Sequence, residues 1–231
     1  MDFSQLPAPE EKTAHVQAMF DTIAPRYELV NRLVTFGLDA RWRRTAVAAL
    51  ALPPGSCLLD LASGTGDLSR LTASRGFKVV GADLSIGMLK ANGASAPKVQ
   101  ADATAMPFAT GAFDGLVCGY ALRNFTDLPA AFAEVARVLR PGGRIALLDV
   151  DRPEQRFLRS GFNLWFDHAV PAIGGLLSDR GAYRYLPRST AYLPPAEELR
   201  AMVVEAGFSG VNHRRLSGGL SQLIVATRTG A

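Results

Sequence analysis

Apolar residues change their spacing partway along the chain. Over residues 16–31 and 39–50 they recur three or four positions apart, which predicts two helices with a turn near Gly37. Pro53, Pro54 and Gly55 end that helical lead-in. Beyond them come short apolar runs of strand length at 57–61, 78–82, 113–118 and 144–150, with a weaker one at 99–101. Helical stretches fall between them, at 67–74, 85–91 and 129–139.

Strands alternating with helices predict parallel βαβ units, the strands buried on both faces and helices packed on each side. A helix at 197–206 and strands at 211–216 and 222–227 close the chain. The brief Ser217-Gly218-Gly219 link makes the last two a hairpin, which sets an antiparallel strand into a mostly parallel sheet. The expected architecture is therefore α/β: one doubly wound, seven-stranded, Rossmann-like sheet. Residues 152–195 interrupt the alternation with Gly, Pro, Tyr and Phe, and predict a helical insertion after strand five, over the sheet edge. It reads either as a carrier of ligand contacts or as a structural cover. The organisation is that of a single domain, with N-terminal helices to residue 50, a core at 56–150, the insertion at 151–195 and the closing helix and strands at 196–231.

With 231 residues, 48% of them hydrophobic and 20% charged, the composition suits one globular domain and not a disordered chain. Cys57 and Cys118 stand 61 positions apart in apolar runs, without metal or redox spacing, which favours reduced thiols and an intracellular, cytoplasmic protein. No run of ~18 apolar residues predicts a membrane span, and residues 1–11 lack the apolar stretch of a secretory signal. A net charge of +4 is too mild to predict nucleic-acid binding. The densest basic patch is Arg41, Arg43 and Arg44 around Trp42, with Arg152, Arg156 and Arg159 further on. Each group reads as a solvated face or, if the substrate is a lipid, as a contact for anionic headgroups.

The most informative segment is Asp60-Leu61-Ala62-Ser63-Gly64-Thr65-Gly66-Asp67, which leaves a predicted strand and enters a predicted helix. Its glycines permit a tight turn and let a ligand lie against bare backbone. Seventeen residues beyond Gly66, at the end of the second strand, Asp83 stands where a carboxylate accepts from both ribose hydroxyls of an adenosine ligand. The third glycine of a dinucleotide fingerprint is missing, and Asp67 would repel phosphates at the helix N-terminus. Both features oppose NAD and suit a cationic or zwitterionic adenosyl ligand such as S-adenosylmethionine (SAM). Asp102 and Ala103, after the third strand, suit an adenine amine and ring nitrogen.

These residues resemble the class I SAM-dependent methyltransferases, and within them the UbiE/MenG type, which C-methylates the polyprenylated rings of ubiquinone and menaquinone precursors. The class is carried by Asp60 to Gly66, Asp83, Asp102-Ala103 and Arg140-Pro141-Gly142-Gly143. The narrower likeness rests on Met19-Phe20-Asp21-Thr22-Ile23-Ala24-Pro25-Arg26-Tyr27, on Leu122-Arg123-Asn124-Phe125, and on Tyr183-Arg184-Tyr185-Leu186 with Ser189. Asp149-Val150-Asp151, Tyr27-Glu28, Gly119 and the stretch after Gly218 depart from the family pattern.

The resemblance implies SAM as cofactor, S-adenosylhomocysteine as product, and a cofactor site of Asp60, Ala62, Gly64, Thr65, Gly66, Asp83, Leu84, Asp102, Ala103 and Gly119. It implies a reduced prenylquinone acceptor, demethylmenaquinol first, with another phenolic or small-metabolite acceptor as the alternative. Tyr27, Tyr183 and Tyr185 would shape the acceptor cavity. Ring methylation requires a phenolate, and Arg123 with Asn124, facing Asp67 across the cofactor mouth, would stabilise it or relay its proton. His15, His168 and His213 lie in no matching motif, and no metal cluster is expected. A nucleotide-binding oxidoreductase and a non-catalytic SAM-binding scaffold are the rival readings. A prenylated acceptor would bring the protein to the inner face of the membrane as a peripheral visitor, and self-association as a homodimer stays open.

Overall fold

The computed structural model describes Phe3, residues 7–151 and residues 164–230. Strands β1 (Cys57–Leu61), β2 (Lys78–Asp83), β3 (Lys98–Gln100), β4 (Phe113–Gly119), β5 (Leu139–Val150), β6 (Phe208–Leu216) and β7 (Ser221–Arg228) form one sheet in the order β3-β2-β1-β4-β5-β7-β6. The first five strands pair in parallel, and β7 runs antiparallel between β5 and β6. The reversal of strand order at β1 and β4 makes a crevice at the carboxyl ends, where open α/β sheets bind ligands.

Period-two alternation decides which side of the sheet each residue serves. Leu59, Leu116, Ile145 and Leu147 join a core closed by helices α6 (Leu128–Val138) and α9 (Ala196–Glu205). Leu58, Val117, Ala146 and Leu148 point the other way, towards α3 (Leu38–Ala49) and α4 (Asp67–Ser74). α5 (Ile86–Ala91) begins at a Ser85 cap that accepts the Met88 N–H.

The expected helix over 16–31 is two helices. α1 (Lys12–Ile23) gives way to a 3-10 turn at Ala24–Arg26, and α2 (Tyr27–Val34) follows. The break falls at Pro25, which supplies no N–H to continue the helical ladder; Ala24 before it stays helical, and the backbone leaves the helix at Arg26, with φ of −121° and ψ of 2°. β5 also starts five residues earlier than expected, at Leu139, with its pairing to β4 shifting between Phe113 and Gly115. Pro141, Gly142 and Gly143 read as a loop, yet the strand runs through them around this irregularity.

After residue 163 the insertion holds a π-helical turn at Trp165–Ala169, then α7 (Val170–Leu177) and α8 (Arg180–Ser189). These pack on α1 and α2 around Met19, Ile23, Val30, Val170 and Tyr183, forming a third core that roofs the crevice. Arg152, Arg156 and Arg159 lie outside the described residues. Among the described residues no helix is long and apolar enough to cross a membrane.

Candidate active site

The loop after β1 is built from bare, left-handed backbone. Ala62, Gly64 and Gly66 have φ of 55°, 52° and 93°. Gly66 must be glycine twice over, since a Cβ there would lie 2.7 Å from the Asn92 Cγ. Asn92 in turn donates to the Gly64 carbonyl at 3.0 Å, and Arg70 donates to that of Thr65 at 2.9 Å. These bonds hold the loop open in one shape.

Three carboxylates stand behind and beside it. Asp60 is fully buried, one oxygen accepting from the Ser69 hydroxyl at 2.6 Å and the other without a partner. Burial pushes its carboxyl up to about 7. Asp83 accepts the Gly64 N–H and the Ser85 N–H, one on each oxygen and both at 2.8 Å. Burial raises its pKa against those two bonds. Each oxygen keeps a further lone pair for a ligand. Asp102 accepts both the N–H and the hydroxyl of Thr104 on one oxygen, at 2.8 and 2.7 Å.

These elements enclose a first cavity of about 980 Å³, its open mouth included. Of the expected cofactor residues, Ala62, Gly64, Thr65, Asp83, Leu84, Asp102, Ala103 and Gly119 line it, as do Asp67 and Asn124. Asp60 and Gly66 lie behind that surface. At Gly119 a Cβ would meet the Leu68 Cδ1 at 2.9 Å and the Arg43 Nη1 at 3.4 Å, so those two side chains occupy the room a serine would need.

A second cavity of about 880 Å³ lies beside the first and shares Tyr27 and Tyr120 with it. Val34, Phe36, Trp42, Trp165, Val170 and Tyr183 give it an apolar wall, and Arg123 is the one charged side chain among its described lining residues. Tyr185 lines neither cavity. It is fully buried, with its hydroxyl 3.5 Å from the Asn124 Oδ1, a distance at which little hydrogen bonding remains. His15, His168 and His213 line neither cavity either.

Arg123 and Asp67 do not face each other as the sequence suggests. Arg123 is buried against Asp149, to which it donates through Nη1, while also reaching the Tyr120 carbonyl at 2.8 Å and the Ser189 hydroxyl at 3.2 Å. Burial opposes its charge, and Asp149 together with Tyr27 and Tyr185 offsets that, so its pKa stands above the ordinary guanidinium value. Asp67 belongs to a different set, with Arg70 at 2.6 Å, Arg43 at 3.8 Å and Arg32 at 3.9 Å. Tyr27 lies under the influence of both sets. Burial raises its pKa, Arg43 and Arg123 oppose that rise, and Asp67 and Asp149 add to it.

Sequence reasoning missed Arg43, Tyr120 and Asp149. Arg43 reads as part of a surface patch, but it turns inward, 3.6 Å from Asp39 and 5.3 Å from the centre of the Tyr120 ring. The Asp39–Arg43 spacing of four was the available signal. Tyr120 has φ of 63°, costly for a bulky residue, and is held there by its N–H bond to the Leu148 carbonyl at 2.6 Å.

Comparison with known proteins agrees with this architecture. The profile of the ubiE/COQ5 methyltransferase family matches residues 8–230. The demethylmenaquinone methyltransferase of Thermus thermophilus is 42% identical over 91% of this chain and the whole of that protein. The ubiquinone/menaquinone biosynthesis C-methyltransferase UbiE of Syntrophotalea carbinolica is 40% identical, covering 91% of this chain and 93% of its own length. Among solved structures, a putative SAM-dependent methyltransferase of Methanococcus maripaludis superposes with a TM-score of 0.63 at 16% identity, covering 90% of this chain and 93% of that one. The [4+2]-cyclase SpnF superposes equally well, at 0.63 and 16% identity, covering 83% of this chain and 81% of that one. That likeness shows the fold alone, and the chemistry has to be argued from the site.

Proposed function

Because this chain belongs to the ubiE/COQ5 methyltransferase family, we propose that it methylates a ring carbon of a reduced, prenylated quinone precursor, with demethylmenaquinol as the acceptor and SAM as the donor. The observation that carries this reading is the meeting of two unlike cavities at Tyr27 and Tyr120, one lined by three aspartates with Arg43 beside Asp67, and the other apolar with Arg123 as its charged lining residue.

The first cavity suits the donor. Gly64 lines this cavity, and a Cβ on it would meet no heavy atom within 4 Å, so the bare loop leaves open space beside the site. Asp83 and Asp102 along its wall favour a ligand that carries ammonium and sulfonium charge, while Asp67 is already matched by Arg70 and Arg43. SAM supplies a methyl group on a sulfonium, an electrophile that an electron-rich ring carbon can displace. Tyr27 and Tyr120 offer aromatic faces at the junction, which favour that positive centre and keep water from it.

The second cavity suits the acceptor. Trp42, Trp165, Phe36 and Val34 would cover the ring and the first units of its apolar tail. Arg123, held on one side by Asp149, would stabilise the phenolate that makes the ring carbon nucleophilic. Methylation forms one C–C bond, breaks one C–S bond and releases one proton, leaving S-adenosylhomocysteine and the methylated quinol. Asp67, on the first cavity's side, would relay that proton through a water, with Asn124 orienting that water. A prenylated acceptor resides in the bilayer, so the enzyme works as a cytoplasmic protein that touches the membrane's inner face.

The test is mass spectrometry of products formed from methyl-labelled SAM and chemically reduced demethylmenaquinone with a short prenyl tail. One labelled methyl on the ring is the expected result. SAM binding without product would overturn the acceptor and turn the search to other phenols. Failure of SAM itself to bind would overturn the donor site as well.

A further inference from the structure

The basic patch on α3 divides in the folded protein. Arg43 turns inward to the active site, while Arg41 and Arg44 stay exposed on the outer face of the helix. There they meet Arg214 from β6, 170 residues away in sequence, and the three line one shallow depression with Thr45, Ala48 and Ala49. Among the described residues none of these arginines has an acidic partner within salt-bridge distance. Three unneutralised guanidinium groups converging on one hollow make a receptor for phosphate oxygens, which arginine binds in a planar, two-pronged way.

The surroundings decide which phosphate. α3 runs from this hollow back to the wall of the second cavity, which Leu38 and Trp42 help to line. Just before it stands Phe36, 72% exposed and stacked on Trp165 at 4.7 Å between ring centres. Leu29 and Leu33, four apart on one face of α2, are exposed as well, and Phe36 follows them just beyond the helix end. Such residues on a soluble surface mark a contact with something apolar. Along α3, Arg41 and Arg44 lie about one and two turns beyond Leu38, a rise of roughly 5 and 9 Å. The headgroup layer of a bilayer leaflet is itself roughly 5–8 Å deep. With α3 standing along the bilayer normal, an apolar rim that enters the acyl boundary would set the arginines at the level of the phosphates.

We propose that Arg41, Arg44 and Arg214 form a docking site for anionic phospholipid headgroups, which seats the Phe36 rim of the second cavity on the bilayer. This deepens the proposed function, because a cavity mouth resting on the acyl boundary lets a prenylated ring enter without crossing water.

The experiment is flotation of the full chain with vesicles of phosphatidylcholine alone, and with vesicles of three parts phosphatidylcholine to one part phosphatidylglycerol. The expected result is binding to the anionic vesicles only, weakened by salt, and lost by about fivefold for each arginine changed to Gln in R41Q, R44Q and R214Q. The triple variant should keep the parent's thermal midpoint and its turnover on a water-soluble, short-tailed acceptor. Equal flotation of parent and triple variant would overturn the proposal, as would failure of the parent to float. Arginine-dependent binding of inorganic phosphate without vesicle binding would also overturn it, by making the hollow a site for a soluble anion. Arginine-dependent flotation with no methylation of the quinol would instead leave the docking site standing and sink the proposed acceptor.

Discussion

The two cavities are made in opposite ways. The first is shaped largely by backbone: a strand end, a left-handed loop and carboxylates that hold N–H groups two to nineteen residues away. The second is shaped by side chains from distant places, with Tyr27 and Trp42 from the N-terminal helices, Arg123 after β4, Trp165 and Tyr183 from the insertion and Leu220 before β7. A cavity of the first kind constrains its ligand through geometry that few sequences can form. One of the second kind can be reshaped a residue at a time, so donor and acceptor selectivity should respond to different mutations.

Arg123→Ala should give the largest effect. Removing the guanidinium strands Asp149 in the interior, which costs ~3–5 kcal/mol of stability. Turnover should fall by about 10²–10³, as for other lost stabilisers of developing charge. The double replacement Arg123→Met with Asp149→Leu separates the two effects, because it removes both buried charges together. Denaturant melts should then return near the parent while turnover stays low and SAM affinity stays unchanged. Restored turnover would show the pair to be structural only.

Gly64→Ala tests the other side. Alanine there adds a strain of ~1–2 kcal/mol at positive φ, which the free loop relieves by leaving its binding shape, so SAM affinity by calorimetry should drop by about tenfold. Quenching of Trp42 and Trp165 by a quinol analogue in the second cavity should be unaltered. If both ligands weaken equally, the cavities are not independent.

A smaller effect concerns pH. Asp60 has its carboxyl raised to about 7 by burial, so its contribution to stability is complete below the unfolded value of about 4 and is lost as pH rises through 7. A cationic donor favours the ionised form, so its affinity should rise a fewfold between pH 6 and pH 8, with a proton released on binding at the lower pH. Asp60→Asn should flatten that dependence in titrations run in buffers of different ionisation heat. Last comes Tyr185→Phe, which removes only a hydroxyl at 3.5 Å from Asn124 and should shift the thermal midpoint by no more than a degree or two.

The same contrast explains what could be read before folding. The strands, the order of elements and the acid-and-glycine loop were legible because each is a local signal: a run of apolar residues, a tight turn, a carboxylate at a strand end. The break at Pro25 was legible too, but the helical spacing on either side hid it. Arg43 reads as surface because composition sees three neighbouring arginines, whereas the helix turns position 43 inward and keeps positions 41 and 44, three apart, together on its outer face. The pairing of Arg123 with Asp149 rests on two chain segments 26 residues apart whose strand ends lie side by side, and no spacing rule announces it. Asp149 therefore read as a departure from a pattern when it is the partner of the buried charge.

The hydrogen bond between Arg123 and Ser189 also sets a rule for descent. Through it the roof and the sheet grip the same guanidinium, one by a hydroxyl and the other by a carboxylate. A lineage that changes its acceptor can rewrite the aromatic wall around Trp165 and Tyr183 step by step, each step leaving the donor side intact. Ser189, Arg123 and Asp149 are not free in that way. They hold one buried charge between them, and a roof exchanged between relatives has to bring its own hydroxyl to that spot or lose the grip on the charge beneath it.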